Sequence, residues 1–356
     1  MKRPDLSGLS SEIVSYIETL ERELEDIRRN ALVSERHARR ESNGEELLQD
    51  LTDTSEPPEP ATTICVITVT ASGIAKRTPR HLYNLQRRGG MGIFDLENPE
   101  QDPPAILAIA DQNQNLLIIT RKGRAYRLPV QSIPETPIRA RGKSILAKFN
   151  LPEEELIAAM QPEQSQGYLA LVSQSGMVRM LRHHVFGEYL KPGTPLYDYH
   201  IFGDLAGAAW TPGDGDLFIA TQQGRAIRFA EKLVPPQGIS GIRLGDQDKA
   251  VSITSVDQGS GVFLLGSDGR GIIRLMEGFA PNKAPGAGGK IALSTDQLIC
   301  ALKVDNSDHI FIISSLSKII RFRADEIPPK DGVVQGVVCI SLRADQPVAA
   351  IESPMS

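Results

Sequence analysis

The sequence predicts an all-β fold, a six-bladed propeller, with a short N-terminal helix ahead of it. Three observations carry the prediction. A hairpin pattern, apolar strand, short turn and arginine-bearing strand, recurs six times, with turn residues Gly73, Gly123, Gly176, Gly224, Gly269 and Ser317. The turns lie 50, 53, 48, 45 and 48 residues apart, a period in the range of propeller blades. Further apolar runs between the hairpins, such as AILAIA from Ala105 and ELIAAM from Glu155, bring each repeat to about four strands, the content of one blade.

The six copies begin at Ile67, Leu116, Tyr168, Asp216, Gly261 and His309. First strands such as LLIIT and LFIAT are almost wholly apolar, which predicts burial on both faces. A lone hairpin cannot bury such a strand, whereas stacked blades can. Glycine at the turn accommodates a positive φ without steric cost. Ser317 breaks that rule, so a different turn is expected in the sixth hairpin.

Residues 11–40 read as a helix with an a/d seam of Ile13, Ile17, Leu20, Leu24 and Ile27. Ser10 or Ser11 supplies a cap. A short helix of this kind is marginal alone, so the seam calls for a partner. A two-stranded homodimeric coiled coil is the first expectation, a different subunit or the body of the protein the others. Residues 41–60, ending SEPPEP, read as an acidic, proline-bearing linker. The expected organisation is therefore helix 1–40, linker 41–60 and propeller 61–356.

The net charge of −5 disguises an uneven distribution. Residues 1–60 hold 8 Lys/Arg against 15 Asp/Glu, whereas residues 61–190 hold 15 against 11. The globular part is near neutral, with a basic bias in its first half, and local patches decide what a polyanion meets. No apolar run is long enough for a membrane span and no signal core opens the chain, so a cytoplasmic, nucleoid-associated location is expected. Cys65, Cys300 and Cys339 show no ligand spacing and are expected as small buried hydrophobes. Neither metal nor cofactor is expected.

Basic residues follow the turns in every copy: Lys76 and Arg77, Arg124 and Arg127, Arg179 and Arg182, Arg225 and Arg228, Arg270 and Arg274, Lys318 and Arg321. Radial blades would place equivalent residues on one ring, a charged belt suited to phosphate contacts without base reading. Two loops add to it: IRARGK, with Arg139, Arg141 and Lys143, and QRRGGMG, with Gln86, Arg87, Arg88, Gly89, Gly90 and Gly92. In the second, glycines let the backbone approach a surface closely and arginines offer planar forks to phosphate.

From Ile64 to about Pro347 the chain resembles the C-terminal domain of bacterial DNA gyrase A and its topoisomerase IV relative. ITVTASGIAKRTP, QRRGGMG, LLIITRKGRAYRL and LPEEELIAAM carry the likeness. The resemblance implies a six-bladed β-pinwheel whose outer edge binds and wraps double-stranded DNA, working with a gyrase or topoisomerase IV core or as an architectural protein. It also implies a non-catalytic module, because a breakage–reunion domain is not expected within the 60 residues before the body. The family's box reads Gln, basic, basic, Gly, Gly, basic, Gly; Met91 stands at its third basic position, which implies weaker wrapping. APGAGGK, Ala284 to Lys290, is no phosphate loop, since Ala284 and Ile291 replace the required Gly and Ser or Thr. His183, His184, Asp214 and Asp216 form no nucleophile–base pattern. The competing reading is a protein-interaction propeller recruited through its N-terminal helix, with little DNA binding.

Overall fold

In a computed structural model of the chain, which describes residues 59–149 and 155–355, each of the six expected hairpins forms. The coiled-coil seam and the linker up to residue 58 lie outside the described residues. The turns share one geometry: the turn residue donates its N–H three residues back, from Gly73 to Thr70 at 3.0 Å and from Gly123 to Thr120 at 2.9 Å. The sixth hairpin is no exception, contrary to expectation. Ser317 takes φ +63 and donates to Ser314 at 2.9 Å. A hydrogen bond offsets the strain of a side chain there, because its buried Oγ accepts from Leu96 N at 2.7 Å.

Every hairpin gains an inner strand on one side and a two-residue outer strand on the other, giving six sheets. The inner strands are Pro104–Asp111, Ile157–Pro162, Leu205–Thr211, Ala250–Val256, Leu298–Val304 and Pro347–Ser353. Each packs against the inner strands of both neighbouring blades, the last against the first, so the ring is closed.

The outer strands show how the chain achieves this. The segment after each hairpin crosses to the preceding blade before returning. Lys143–Ser144, which follows the blade 2 hairpin, pairs with Ile74–Ala75 of blade 1. Thr194–Pro195, Ile239–Ser240 and Lys290–Ile291 repeat this on blades 2, 3 and 4, and Val337–Val338 on blade 5. Blade 1 has no preceding blade in sequence. Its crossing segment, Ile93–Phe94, pairs with Ile319 and Lys318 of blade 6. All six blades therefore borrow an outer strand from the next hairpin, a pinwheel exchange, and residues 83–96 are the strap that joins the two ends of the ring.

The apolar core is divided among the six interfaces between blades. The closing interface, Val66, Tyr83, Leu107, Phe311, Ile313 and Ile319, is the smallest, and a buried polar latch supplements it. Lys76, fully buried, lies 2.7 Å from Asp95 Oδ1 and donates to Asp95 O at 2.6 Å. The same carboxylate accepts from Tyr83 OH at 2.7 Å and Thr68 Oγ1 at 2.8 Å. Burial pushes the Lys76 ammonium below its ordinary value, and Asp95 opposes that shift. Cys65 and Cys339 are buried as expected, but Cys300 is only half-buried, on the inner strand of blade 5. Among the described residues no helix is long and apolar enough to cross a membrane.

Two outcomes follow for stability. Asp95→Ala strands a buried ammonium and two hydroxyls, and is expected to cost about 3–5 kcal/mol in urea unfolding. On the inner strand of blade 6, burial first and Asp308 second push the Glu352 carboxyl up from 4.5 to about 7. The folded state then holds the proton more tightly than the unfolded state. Stability from this group is full below 4.5 and is lost as pH rises through about 7. Glu352→Gln should remove that slope from a pH series of unfolding midpoints.

Candidate nucleic-acid interface

The QRRGGMG box is the first half of the closing strap, and much of it is engaged by the protein itself. Gln86 N donates to Arg321 O at 2.8 Å, and Gly89 N to Cys339 O at 2.7 Å. Gly90 O accepts from Ser341 N at 2.9 Å. Arg88 donates through its backbone N to Glu326 Oε2 at 2.9 Å and through Nε to Glu326 O at 2.8 Å. Its Nε is thus held by blade 6, while the side chain as a whole is half-buried. Gly92 must be glycine, since its φ is +71 and a Cβ would stand 2.7 Å from Ile319 O. Arg87, by contrast, is exposed, as is Met91 at 65%.

The belt of basic residues divides into two sets, because the six copies do not place them at one position. The fourth residue after the turn is Arg77, Arg127, Arg228 and Arg321 in blades 1, 2, 4 and 6. Three of these staple their blade to the short turn that follows the next hairpin in the ring. Arg77 Nε donates to Ile133 O at 2.9 Å. Arg228 Nη1 reaches Met276 O at 2.7 Å and Phe279 O at 3.2 Å. Arg321 Nη1 reaches Tyr83 O at 3.0 Å and Arg80 O at 3.2 Å, and so bonds blade 6 to blade 1. Arg127 instead pairs with Glu163 at 2.9 Å. Arg274, one residue later than this position in blade 5, is buried against Phe279 with its centre 5.8 Å from the ring. Desolvation pushes its guanidinium below the ordinary value, and Asp331 opposes the shift.

Lys76, Arg228, Arg274 and Arg321 are thus buried. These expected contacts are corrected: an inward-facing arginine on a strand packed by its neighbour cannot reach a polyanion. The first residue after the turn is Arg124, Arg225, Arg270 and Lys318 in blades 2, 4, 5 and 6. It lies at the outer edge. Arg124 and Arg270 keep side-chain exposures of 52% and 44%. Arg225 is half-buried and donates to Gly288 O and Gly289 O at 3.0 and 2.9 Å. Arg182 on blade 3 is exposed, with its guanidinium over Tyr168 at 5.7 Å, and Arg179 of the same strand is half-buried.

One group of exposed cations lies near the closure. Arg139, Arg141 and Lys143 are exposed on the strap that crosses from blade 2 to blade 1. Arg139 N donates to Asp95 O at 2.9 Å, which brings this strap beside the first. Phe94 collects cations from both sides, with Arg139 at 5.7 Å and Lys318 at 5.8 Å from its ring centre. Arg139 and Lys318 thus flank Phe94, Arg141 and Lys143 follow on the same strap as Arg139, and Arg87 stands on the strap that carries Phe94.

Two features escaped the sequence reading. The final glycine of the box recurs at the end of every strap, as Gly92, Gly142, Gly193, Gly238, Gly289 and Gly336. Each lies against the strand that accepts the strap: a Cβ at Gly142 would meet Ala75 O at 2.1 Å and one at Gly336 would meet Gly271 O at 2.6 Å. Its regular spacing was available in the sequence. Lys122, exposed in the blade 2 turn, was also passed over.

Comparison with known proteins agrees with this architecture. The family model described as "DNA gyrase C-terminal domain, beta-propeller" matches residues 66–99, 114–162, 215–257 and 308–353. These spans fall in blades 1, 2, 4 and 6. The DNA gyrase A protein of Escherichia coli K12 is 27% identical over 299 residues, covering 81% of this chain and 34% of that protein. The DNA gyrase A protein of Staphylococcus epidermidis is 25% identical over 375 residues, covering 99% and 42%. The chain thus spans less than half the length of either relative. Among solved structures, a DNA gyrase A C-terminal domain superposes with a TM-score of 0.71 at 22% identity, covering 81% of this chain and 99% of that one. The C-terminal domain of a DNA topoisomerase IV gives 0.58 at 20% identity, covering 83% and 94%. In sequence and fold, the body resembles the gyrase A C-terminal β-propeller.

The division of the arginines is open to measurement by urea unfolding. Arg321→Gln leaves carbonyls at the closing interface without their donor and should cost about 1–3 kcal/mol. Arg87→Gln, at an exposed position, should stay within about 0.5 kcal/mol of the parent.

Proposed function

We propose that this gyrase A C-terminal-type β-pinwheel binds duplex DNA without sequence preference on its outer edge, bends it, and serves as an accessory to a type IIA topoisomerase core. The group of cations Arg87, Arg139, Arg141, Lys143 and Lys318 carries this reading. These side chains come from two successive straps and a blade 6 strand, and four of the five are exposed. Such a group supplies phosphate contacts of the salt-dependent, sequence-independent kind. Arg124, Arg270 and Arg182 extend the exposed cations to further blades, as a bent path requires. Bending a short duplex by 40–90° costs about 1–6 kcal/mol, which contacts spread along an edge offset better than one patch.

Met91 tunes the affinity in this reading. It places an exposed apolar side chain where the family's box is basic, so the strap lacks one charge. Dimerisation through residues 11–40 remains part of the proposal, and sedimentation of the full chain at several concentrations tests it.

The test is fluorescence anisotropy with an unrelated pair of labelled duplexes over a salt titration. Affinity should fall about 10³–10⁵-fold between 50 and 200 mM salt if some 6–10 phosphates are contacted. Arg87→Ala and Arg139→Ala should weaken both duplexes alike and each reduce the salt slope by about 1. Met91→Lys should act in the opposite sense. Equal affinity at both salt concentrations would overturn the proposal in favour of a protein-interaction scaffold.

A further inference from the structure

Blades 3 and 5 depart from the arginine pattern of the other four, and blade 3 does so toward its preceding neighbour. The fourth residue after the blade 3 turn is Met180, and the arginine stands one residue earlier, at Arg179. Successive residues of a strand face opposite sides of the sheet. The displaced arginine therefore faces back to blade 2 instead of forward to blade 4. At this third position the other blades carry Tyr126, Ile227, Ile272, Ile320 and a lysine, Lys76, which Asp95 neutralises. Arg179 has no such carboxylate among the described residues. Its Nε is shielded from solvent and lacks any hydrogen-bond partner among the described residues. A desolvated donor left unpaired costs about 1–3 kcal/mol, so its retention here needs an explanation.

The explanation lies in what Arg179 faces. A cavity of about 590 Å³ opens between blades 2 and 3, with Lys122 and Arg124 on one wall, Arg179 and Leu181 on the other, and Tyr199 and His200 at the edge. Three cations thus converge on one space. Among the described residues the one carboxylate in its lining, Asp198, is occupied in capping the short helix Tyr199–Phe202, where its Oδ1 accepts from His200 N at 3.0 Å. Glu155, 3.6 Å from Arg124 Nε, accepts from Thr120 Oγ1 at 2.6 Å. We propose that this cavity is a phosphoryl-binding pocket. Arg179 and Arg124 grip the oxyanion from opposite walls, Lys122 adds charge, and the Arg179 Nε gains the acceptor it lacks. Guanidinium edges suit phosphate oxygens, and the volume is that of a small-ligand site. The phosphoryl group comes either from a duplex backbone, which rests on the DNA-binding reading above, or from a free phosphorylated molecule.

The test uses the full chain with inorganic pyrophosphate as probe, read by thermal shift and calorimetry. A saturable rise in Tm is expected. Arg179→Met should weaken pyrophosphate binding at least tenfold while leaving the anion-free Tm equal or higher, since an unpaired donor has been removed. Lys283→Gln, on an exposed loop after blade 5, should leave pyrophosphate binding unchanged. Absence of saturable binding, or equal binding by Arg179→Met, overturns the pocket. Duplex affinity then separates the sources. If Arg179→Met also weakens duplex binding and pyrophosphate competes with it, the phosphoryl group is a backbone phosphate. If duplex binding is unchanged, the pocket takes a free ligand. Pyrophosphate binding by a parent chain that binds no duplex would sink the DNA reading and leave the pocket standing.

Discussion

Closing a ring from a linear chain is the constraint on which this structure depends. Five interfaces join neighbouring blades that are also neighbours in sequence, but the sixth must bring blade 1 against blade 6. That interface has the smallest apolar core, and polar groups strengthen it: the Lys76–Asp95 ion pair with Tyr83 and Thr68, the Arg321 bonds to Tyr83 O and Arg80 O, and the strap 83–96. A buried ion pair contributes little net stability against an apolar substitute. What it contributes here is alignment, because Asp95 sits on the strap while Lys76 sits on the blade 1 hairpin. The pair is satisfied only when the strap lies across blade 6 in one position.

The same constraint changes the meaning of the QRRGGMG box. Its glycines are required first by the closure, where Gly92 lies against Ile319 O and Gly89 N reaches Cys339 O. Its two arginines divide the work. Arg88 turns inward and bonds Glu326; Arg87 turns outward to solvent. One group of exposed cations lies near the closure because two straps come together there through Asp95 O and Phe94. Structural latch and candidate DNA contact are thus neighbouring uses of one segment. Buried Arg228 of blade 4 follows similar logic, since a guanidinium that reaches Met276 O and Phe279 O of the next blade joins two sheets without an extra strand.

Much of the fold was legible in the sequence because its signals are local. A positive φ at a hairpin turn selects glycine, and a strand covered on both faces must be apolar; both leave marks within a few residues. Ser317 misled for the same reason, because the bond that compensates it comes from Leu96, far away in sequence. The exchange of outer strands left a periodic mark in the glycines at 92, 142, 193, 238, 289 and 336, but a spacing does not say which strand a segment will pair with. The candidate site was legible in residue type and less so in availability. Arg228 and Arg225 read alike in RAIR, yet one is buried against Met276 O and the other lies at the edge.

By itself the sequence determined the class of the fold, the number of blades, the turn residues and the presence of a basic box in the first repeat, because these follow from local backbone preference and from apolar patterning. Only the tertiary structure decided which arginines face solvent, that blade 6 receives its outer strand from residues 93–94, and that Arg179 faces a cavity without a partner. The reason is physical. A one-residue shift along a strand reverses the face a side chain occupies, and what covers each face is set by the neighbouring blade.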